Sequence, residues 1–206
     1  MARNYIHTLF TERTRALQSA DGSREAYARM EAGADGSADQ LGAAEAGFIA
    51  ARDSFYLASV TSDGWPYLQH RGGPPGFLKV LEGNRLGWAD YRGNRQHVST
   101  ANLQDDARLS LFLMDYPNRR RLKLIGRGSV VAAAQDPDLV TALMPPGYKA
   151  VAERAYLVEV EGFDWNCPQH ITPRFTAAEI SDGVRPLHAR IAELEAELAH
   201  LKGLNP

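Results

Sequence analysis

Arg71 and Arg95 are the residues best placed to do chemistry in this chain, because each falls where a regular element ends. Arg71 closes the alternating stretch WPYLQHR (65–71), which opens onto the Gly/Pro-rich GGPPGFLK (72–79). Arg95 lies in DYRGNRQHVSTANL (90–103), at the start of a short helical pattern. Backbone N–H groups are unbonded at element ends, and a guanidinium beside them suits an anion such as a phosphate. Strand alternation puts Trp65, Tyr67, Gln69 and Arg71 on one face, and Arg121, Lys123 and Arg127 on one face of the 120–128 stretch, with Leu122 and Leu124 opposite. Taken singly, such cations also fit a merely solvated surface. Taken together, Arg71, Arg95 and Lys123 near Gly-rich turns compose an anion pocket. Asn94 is expected to cap a helix over 95–103, setting the positive end of its dipole beside Arg95. Ser99 and Thr100 fall inside that helix, and Thr100 reads as surface.

Other chemistries lack their residues. The six histidines, His7, His70, His97, His170, His188 and His200, show no ligand spacing on one helix, and Cys167-Pro168-Gln169-His170 has no second half, so no metal site is expected. Cys167 has no nucleophile motif around it, and buried structural cysteine is the commoner state. No GxSxG, GxGxxG or GxxxxGK occurs, which removes the support for a serine hydrolase, a dinucleotide fold or a P-loop.

Length and composition bound the rest. The 206 residues suffice for one domain with a real core, and 44% hydrophobic with 23% charged residues is ordinary for a globular protein. A net charge of −2 gives no basic field for nucleic acid. A single cysteine precludes an internal disulfide, and no 18-residue apolar run or signal-like N-terminus is seen, so a cytoplasmic location is expected.

Residues 1–50 read as helices, one of them over 23–31, joined by loops. From Phe55 the period becomes two. Strands are expected at 55–60, 65–70, 77–82, 85–90, 108–115, 120–134 and 155–163, with hairpin turns at Asp63-Gly64 and Gly83-Asn84. A helix over 136–144 has Asp136 as N-cap and Pro137 at its first position. Six or seven short strands at hairpin spacing argue for an antiparallel closed sheet. The chain thus divides into an N-terminal helical segment (1–50), a barrel (51–165) and a C-terminal segment (166–206) with a coil-like helix at 185–203. In that helix Leu187, Ile191, Leu194, Leu198 and Leu201 are spaced 4, 3, 4, 3, as in a two-helix seam. A terminal helix packing its stripe on its own subunit has the same pattern.

The span 48–174 resembles the pyridoxamine 5′-phosphate oxidase-like FMN-binding family. The residues carrying the resemblance are FIAARDSFYLASVTSDGWPYLQHRGGPPGFLKV, YRGNRQ followed by STANL, LSLFLMDYPNRRRLKLIGRGSVV and WNCPQHITPR. The last string is similar to an oxidase-related subgroup. The resemblance implies a mainly β fold with flanking helices: a six-stranded antiparallel split β-barrel of Greek-key type, plus N-terminal helices and a C-terminal helix. It further implies a homodimer with FMN at the interface and flavin-dependent oxidoreductase activity on an unknown small molecule. By position, Arg71, Arg95 and Gln96 match phosphate and ribityl contacts. Gln69 and His70 lie on the strand beside the isoalloxazine, Lys123 matches a basic residue on the paired strand, and Ser99 joins the cofactor-binding set. Trp165 and Arg174 resemble residues that the second subunit contributes, though core packing accounts equally for Trp165. No residue is nominated as catalytic. The family's Arg-x-His element is replaced by Gln169-His170 and Pro173-Arg174, so efficient turnover of a vitamin B6 phosphate is not expected. Alternatives in the same cleft are a non-catalytic flavin-binding or redox-sensing module, or a relative binding haem or a deazaflavin.

Overall fold

The computed structural model describes residues 3–32, 36–165 and 168–204, which fall into two compact units: 1–115 with 120–168, and 116–119 with 169–206. Cys167 lies outside the described residues.

In the first unit, alternation becomes sheet as expected. Ser54–Val60 (β1) and Pro66–Gly72 (β2) pair antiparallel around a turn where the Gly64 N–H donates to the Thr61 carbonyl (2.9 Å). Lys79–Leu81 (β3) and Arg85–Tyr91 (β4) meet at Gly83-Asn84, whose φ values of 71° and 60° suit the tight turn that matches strand twist. Arg108–Asp115 (β5), Arg120–Ala132 (β6) and Ala152–Trp165 (β7) complete one sheet in the order β2-β1-β5-β6-β7-β4-β3. All seven strands expected from the alternation are therefore present among the described residues, one more than the six that the resemblance implies. The third, β3, is only three residues long, because Phe77 and Leu78 leave the expected 77–82 strand to bury themselves. The last long strand outruns its expected 155–163 because it pairs on both sides, and its register with β6 slips by one residue at Glu161.

Cross-strand rows define the two faces. Gln69, Leu57, Leu111, Leu124 and Phe163 face one another across five strands, and the last four are buried. Truncating any of these core side chains to alanine costs about 2–5 kcal/mol. The neighbouring row, His70, Tyr56, Phe112, Lys123 and Asp164, points outward. The sheet curls until its two ends approach: Phe55 of β1 meets Trp88 of β4 edge-on at 5.1 Å, although three strands separate them in the sheet. That curled, incompletely closed sheet is a split barrel.

Helices close what the sheet leaves open. Arg3–Leu9 (α1) lays Tyr5 and Ile6 against Ile125, while the Asp39 carboxylate accepts from the backbone N–H of Asn4, Tyr5 and Phe163 (3.0, 3.0 and 3.3 Å). Glu12–Ala20 (α2) and Arg24–Glu31 (α3) are tied by Arg15 of α2 on Glu31 of α3 (2.7 Å), which Arg24 of the same helix also reaches. Ala43–Ala50 (α4) buries Phe48 and Ile49. Val98–Asp105 (α5) stops one end of the barrel. Gly128 is what lets it approach, since a Cβ there would lie 2.9 Å from Leu103 of α5 and 2.6 Å from Leu109. Pro137–Leu143 (α6) starts as expected, with the Asp136 carboxylate accepting from the Leu139 N–H (2.9 Å), and covers Ala89 and Ala155 with Val140 and Leu143.

The second unit is dominated by Ala177–Leu204 (α7). It begins eight residues before the expected 185. The Thr176 hydroxyl accepts from the Glu179 N–H (3.2 Å) and the Glu179 carboxylate accepts from the Thr176 N–H (2.7 Å), a reciprocal cap. Pro186 lies inside the helix. No helix among the described residues is long and apolar enough to cross a membrane.

Candidate functional site

One concave site opens on the inner face, at the edge where β2 approaches β4. It is lined by Gln69 and Arg71 of β2, Asp90 and Tyr91 of β4, the 93–97 segment, Ser99 and Thr100 of α5, and Glu153 and Arg154 of β7. The row geometry explains the first two. Gln69 and Arg71 share the parity of Leu57 and Phe55, so at the sheet edge they turn into the barrel mouth rather than into bulk water.

Asp90 holds the edges together. It is buried, with Arg71 Nη1 on Oδ1 at 2.6 Å and Arg154 Nε near Oδ2 at 3.4 Å. Burial pushes its carboxyl above the ordinary range, and the two guanidiniums act against that rise. Arg71 also lies over the Tyr156 ring at 5.1 Å and donates to its hydroxyl at 3.3 Å. Tyr156 stacks on Trp88 (5.0 Å between centroids) and shares a 2.7 Å hydrogen bond with Thr100. Burial raises its phenol as well. The Nε of Arg71 is buried and has no partner. An orphaned charged donor is costly unless something comes to it.

The rim is a second cation cluster. Glu153 accepts from Arg92 Nε (2.8 Å), Arg95 Nη2 (2.9 Å) and Arg154 Nη2 (3.0 Å). The bonds from Arg92 and Arg95 hold its carboxyl down to about 2. Three guanidiniums and two carboxylates line the pocket, leaving one net positive charge. The segment carrying Arg95 is strained, since Arg95 and His97 both have left-handed backbone (φ 58° and 56°). Such conformations cost about 1–3 kcal/mol each in a residue with a Cβ. The side-chain contacts of Arg95 with Glu153 and of His97 Nδ1 with Arg154 (2.9 Å) hold them there.

The helix begins later than expected. It starts at Val98 with His97 at the cap position, and Asn94 instead accepts from the Gln96 N–H (3.3 Å) in a local turn. Its side chains tie it to β1 and β2. The Ser99 hydroxyl donates to Gln69 Oε1 (2.8 Å), and Asn102 donates to the Ser59 hydroxyl (2.9 Å). Thr100, read as surface, is partly buried on Tyr156 and Arg154.

Of the expected site residues, the structure brings Gln69, Arg71, Arg95, Gln96 and Ser99 to one pocket. His70 points the other way, exposed, edge-on to Tyr56 at 5.7 Å. Lys123 does not join the two arginines. It lies in the outward row, 2.8 Å from Asp164 and 4.9 Å from the Tyr5 ring centroid, because the inner position of β6 beside Arg71's row belongs to Leu122. Trp165 packs edge-on against Phe48 (4.8 Å), donates to Glu45 (2.8 Å) and lies under Arg120. Arg174 belongs to the second unit, over the Tyr116 ring at 4.9 Å. Sequence reasoning missed Asp90, Glu153, Arg154 and Tyr156. Asp90 had a signal: an aspartate on the inward parity of RLGWAD, in line with Leu86 and Trp88.

The family model described as pyridoxamine 5′-phosphate oxidase matches residues 41–161. No curated protein matches the sequence. Among solved structures, HupZ of Group A Streptococcus is 10% identical with a TM-score of 0.50, covering 66% of this chain and 100% of its own. General stress protein 26 of Bacillus anthracis is 13% identical with a TM-score of 0.44, covering 63% of this chain and 92% of its own. An FMN-binding protein of Syntrophomonas wolfei is 9% identical with a TM-score of 0.45, covering 58% of this chain and 81% of its own. At these identities the likeness is one of fold.

Proposed function

This chain belongs to the pyridoxamine 5′-phosphate oxidase family, and we propose that it is an FMN-binding, flavin-dependent oxidoreductase acting as a homodimer on a small molecule. The observation that carries the reading is the buried, unpartnered Nε of Arg71 in a pocket with a cation excess. A phosphate oxygen supplies the missing acceptor and takes up the excess charge. Arg71 and Arg95 bind the phosphate, and Arg154 holds Asp90 in place behind them. Gln69, Gln96, Asn94 and Ser99 offer uncharged donors and acceptors for a polyol chain. When bound, the flavin ring supplies the exchange of electrons with substrate. The stack of Trp88 on Tyr156 keeps the floor of the site rigid, and the Thr100–Tyr156 bond fixes the phenol.

The outer face supports a dimer. Helix α1 covers the β6–β7 end of the sheet, whereas Tyr56, Val60 and Leu68 on β1 and β2 stay exposed, with Trp65 beside them 74% exposed. An uncovered apolar face of this kind marks an interaction surface. The test is FMN titration of the purified protein with an absorbance spectrum, alongside light scattering. Flavin bands with a dimer are expected. A Soret band would transfer the cleft to haem, and no chromophore uptake would remove the cofactor assignment.

A further inference from the structure

We propose that α7 pairs with α7 of a second copy of this chain as a parallel, in-register two-stranded coil. The structure lengthens the seam that the sequence suggests. Because the helix starts at Ala177, Ile180 and Val184 join it, and Ile180, Val184, Leu187, Ile191, Leu194, Leu198 and Leu201 recur at alternating spacings of 4 and 3. These seven positions span about 32 Å of helix. Ile180, Leu187, Ile191, Leu194, Leu198 and Leu201 are 46–63% exposed, so the stripe is open along its length.

The residue types and charges choose the occupant. With Val184 and Ile191 at a, and Leu187, Leu194 and Leu201 at d, the β-branched and leucine layers of the central seam follow the order that two-stranded parallel coils prefer, while Ile180 at d and Leu198 at a depart from it. In a parallel pair each g residue faces the e residue five positions later on the other helix. Here Arg190 faces Glu195 of the second copy and Glu197 faces Lys202, opposite signs in both cases. Twofold symmetry makes four such pairs. An antiparallel pair aligned on the same seam sets Arg190 against Glu197 and leaves Lys202 facing Ser181, so only two pairs form. Within one chain Arg190 reaches Glu193 (2.9 Å) and, at longer range, Glu197 (3.9 Å), while Glu195 and Lys202 have no ionic partner among the described residues. Pro186 occupies an outward c position, so its missing N–H and ring stay off the seam.

The test uses the full-length protein with its single cysteine removed (Cys167→Ser), so that introduced thiols report the seam alone. In a glutathione redox buffer, Leu201→Cys and, separately, Leu187→Cys are expected to form covalent dimers at least about tenfold faster than Ala196→Cys on the outer face, because pairing raises the effective thiol concentration. Arg190→Glu is expected to slow the Leu201→Cys cross-link and Glu195→Arg to restore it. Seam cysteines that react no faster than Ala196→Cys overturn the proposal. So do cross-links that form only when Val184→Cys and Leu201→Cys proteins are mixed, or rescue by Glu197→Arg instead, since both mark an antiparallel pair. Flavin content is read separately and bears on the pocket, not on this pairing.

Discussion

Two groups of charge in the barrel use the same ingredients to opposite ends. On the outer face Lys123 meets Asp164 at 2.8 Å over the Tyr5 ring, one cation with one carboxylate and a ring to lie on. At the barrel mouth Arg71, Arg154 and Arg95 converge on Asp90 and Glu153 with a donor left over. The first group is complete in itself. The second is held together yet unsatisfied, which is the condition of a site awaiting an anion. Cations near turns are therefore a poor guide until the face on which each lies is known.

The largest effect should come from breaking the inner group. Arg71→Ala leaves Asp90 buried with only the longer Arg154 contact, and the expected loss is about 3 kcal/mol of stability, read by urea unfolding, together with weaker FMN binding. Arg95 is 57% exposed, so Arg95→Glu should cost clearly less stability than Arg71→Ala. It should lower FMN affinity about tenfold or more, as loss of a charge-assisted bond of about 1.5–3 kcal/mol implies. Equal loss of stability in the two variants would erase the distinction between floor and rim.

A pH profile sharpens the comparison further. The Glu153 carboxyl is held down to about 2 by its bonds to Arg92 and Arg95. Its contribution is therefore complete above the ordinary carboxylate range near 4.3 and is lost as pH falls toward about 2. Glu153→Gln should remove that acid dependence and, by freeing Arg92 and Arg95, tighten FMN several-fold at neutral pH. Asp90 has the opposite sign. Its raised carboxyl favours folding when protonated, so its contribution fades as pH rises through the ordinary range. Identical acid limbs for wild type and Glu153→Gln would show that the rim bonds are not formed in solution. The smallest effect belongs to the outer group: Lys123→Met should cost less than about 1 kcal/mol and leave FMN affinity unchanged.

The barrel was legible because period-two alternation and two tight turns place β1, β2 and β4 directly. Where a hydrophobic pair dives inward, as Phe77 and Leu78 do, the strand pattern misleads. Alternation within one strand also told which residues share a face, but not which face meets which on another strand. That needs register, and register sends Arg71 inward with Leu122 while Lys123 turns outward. Asp90, Glu153 and Arg154 reach the pocket, with Tyr156 beneath Arg71, from strands separated from β2 by at least three others in the sheet, so only the closure of the sheet brings them together. The left-handed cap at His97 is held by long-range contacts and left no local mark, which is why Asn94 was expected to start the helix.

The most direct test compares FMN binding by wild type, Arg71→Glu and Lys123→Glu, followed by flavin fluorescence quenching, with circular dichroism confirming that each is folded. The inner group predicts a loss of tenfold or more for Arg71→Glu and wild-type binding for Lys123→Glu. A folded Arg71→Glu that binds as wild type does, or a Lys123→Glu that loses as much, would contradict the account.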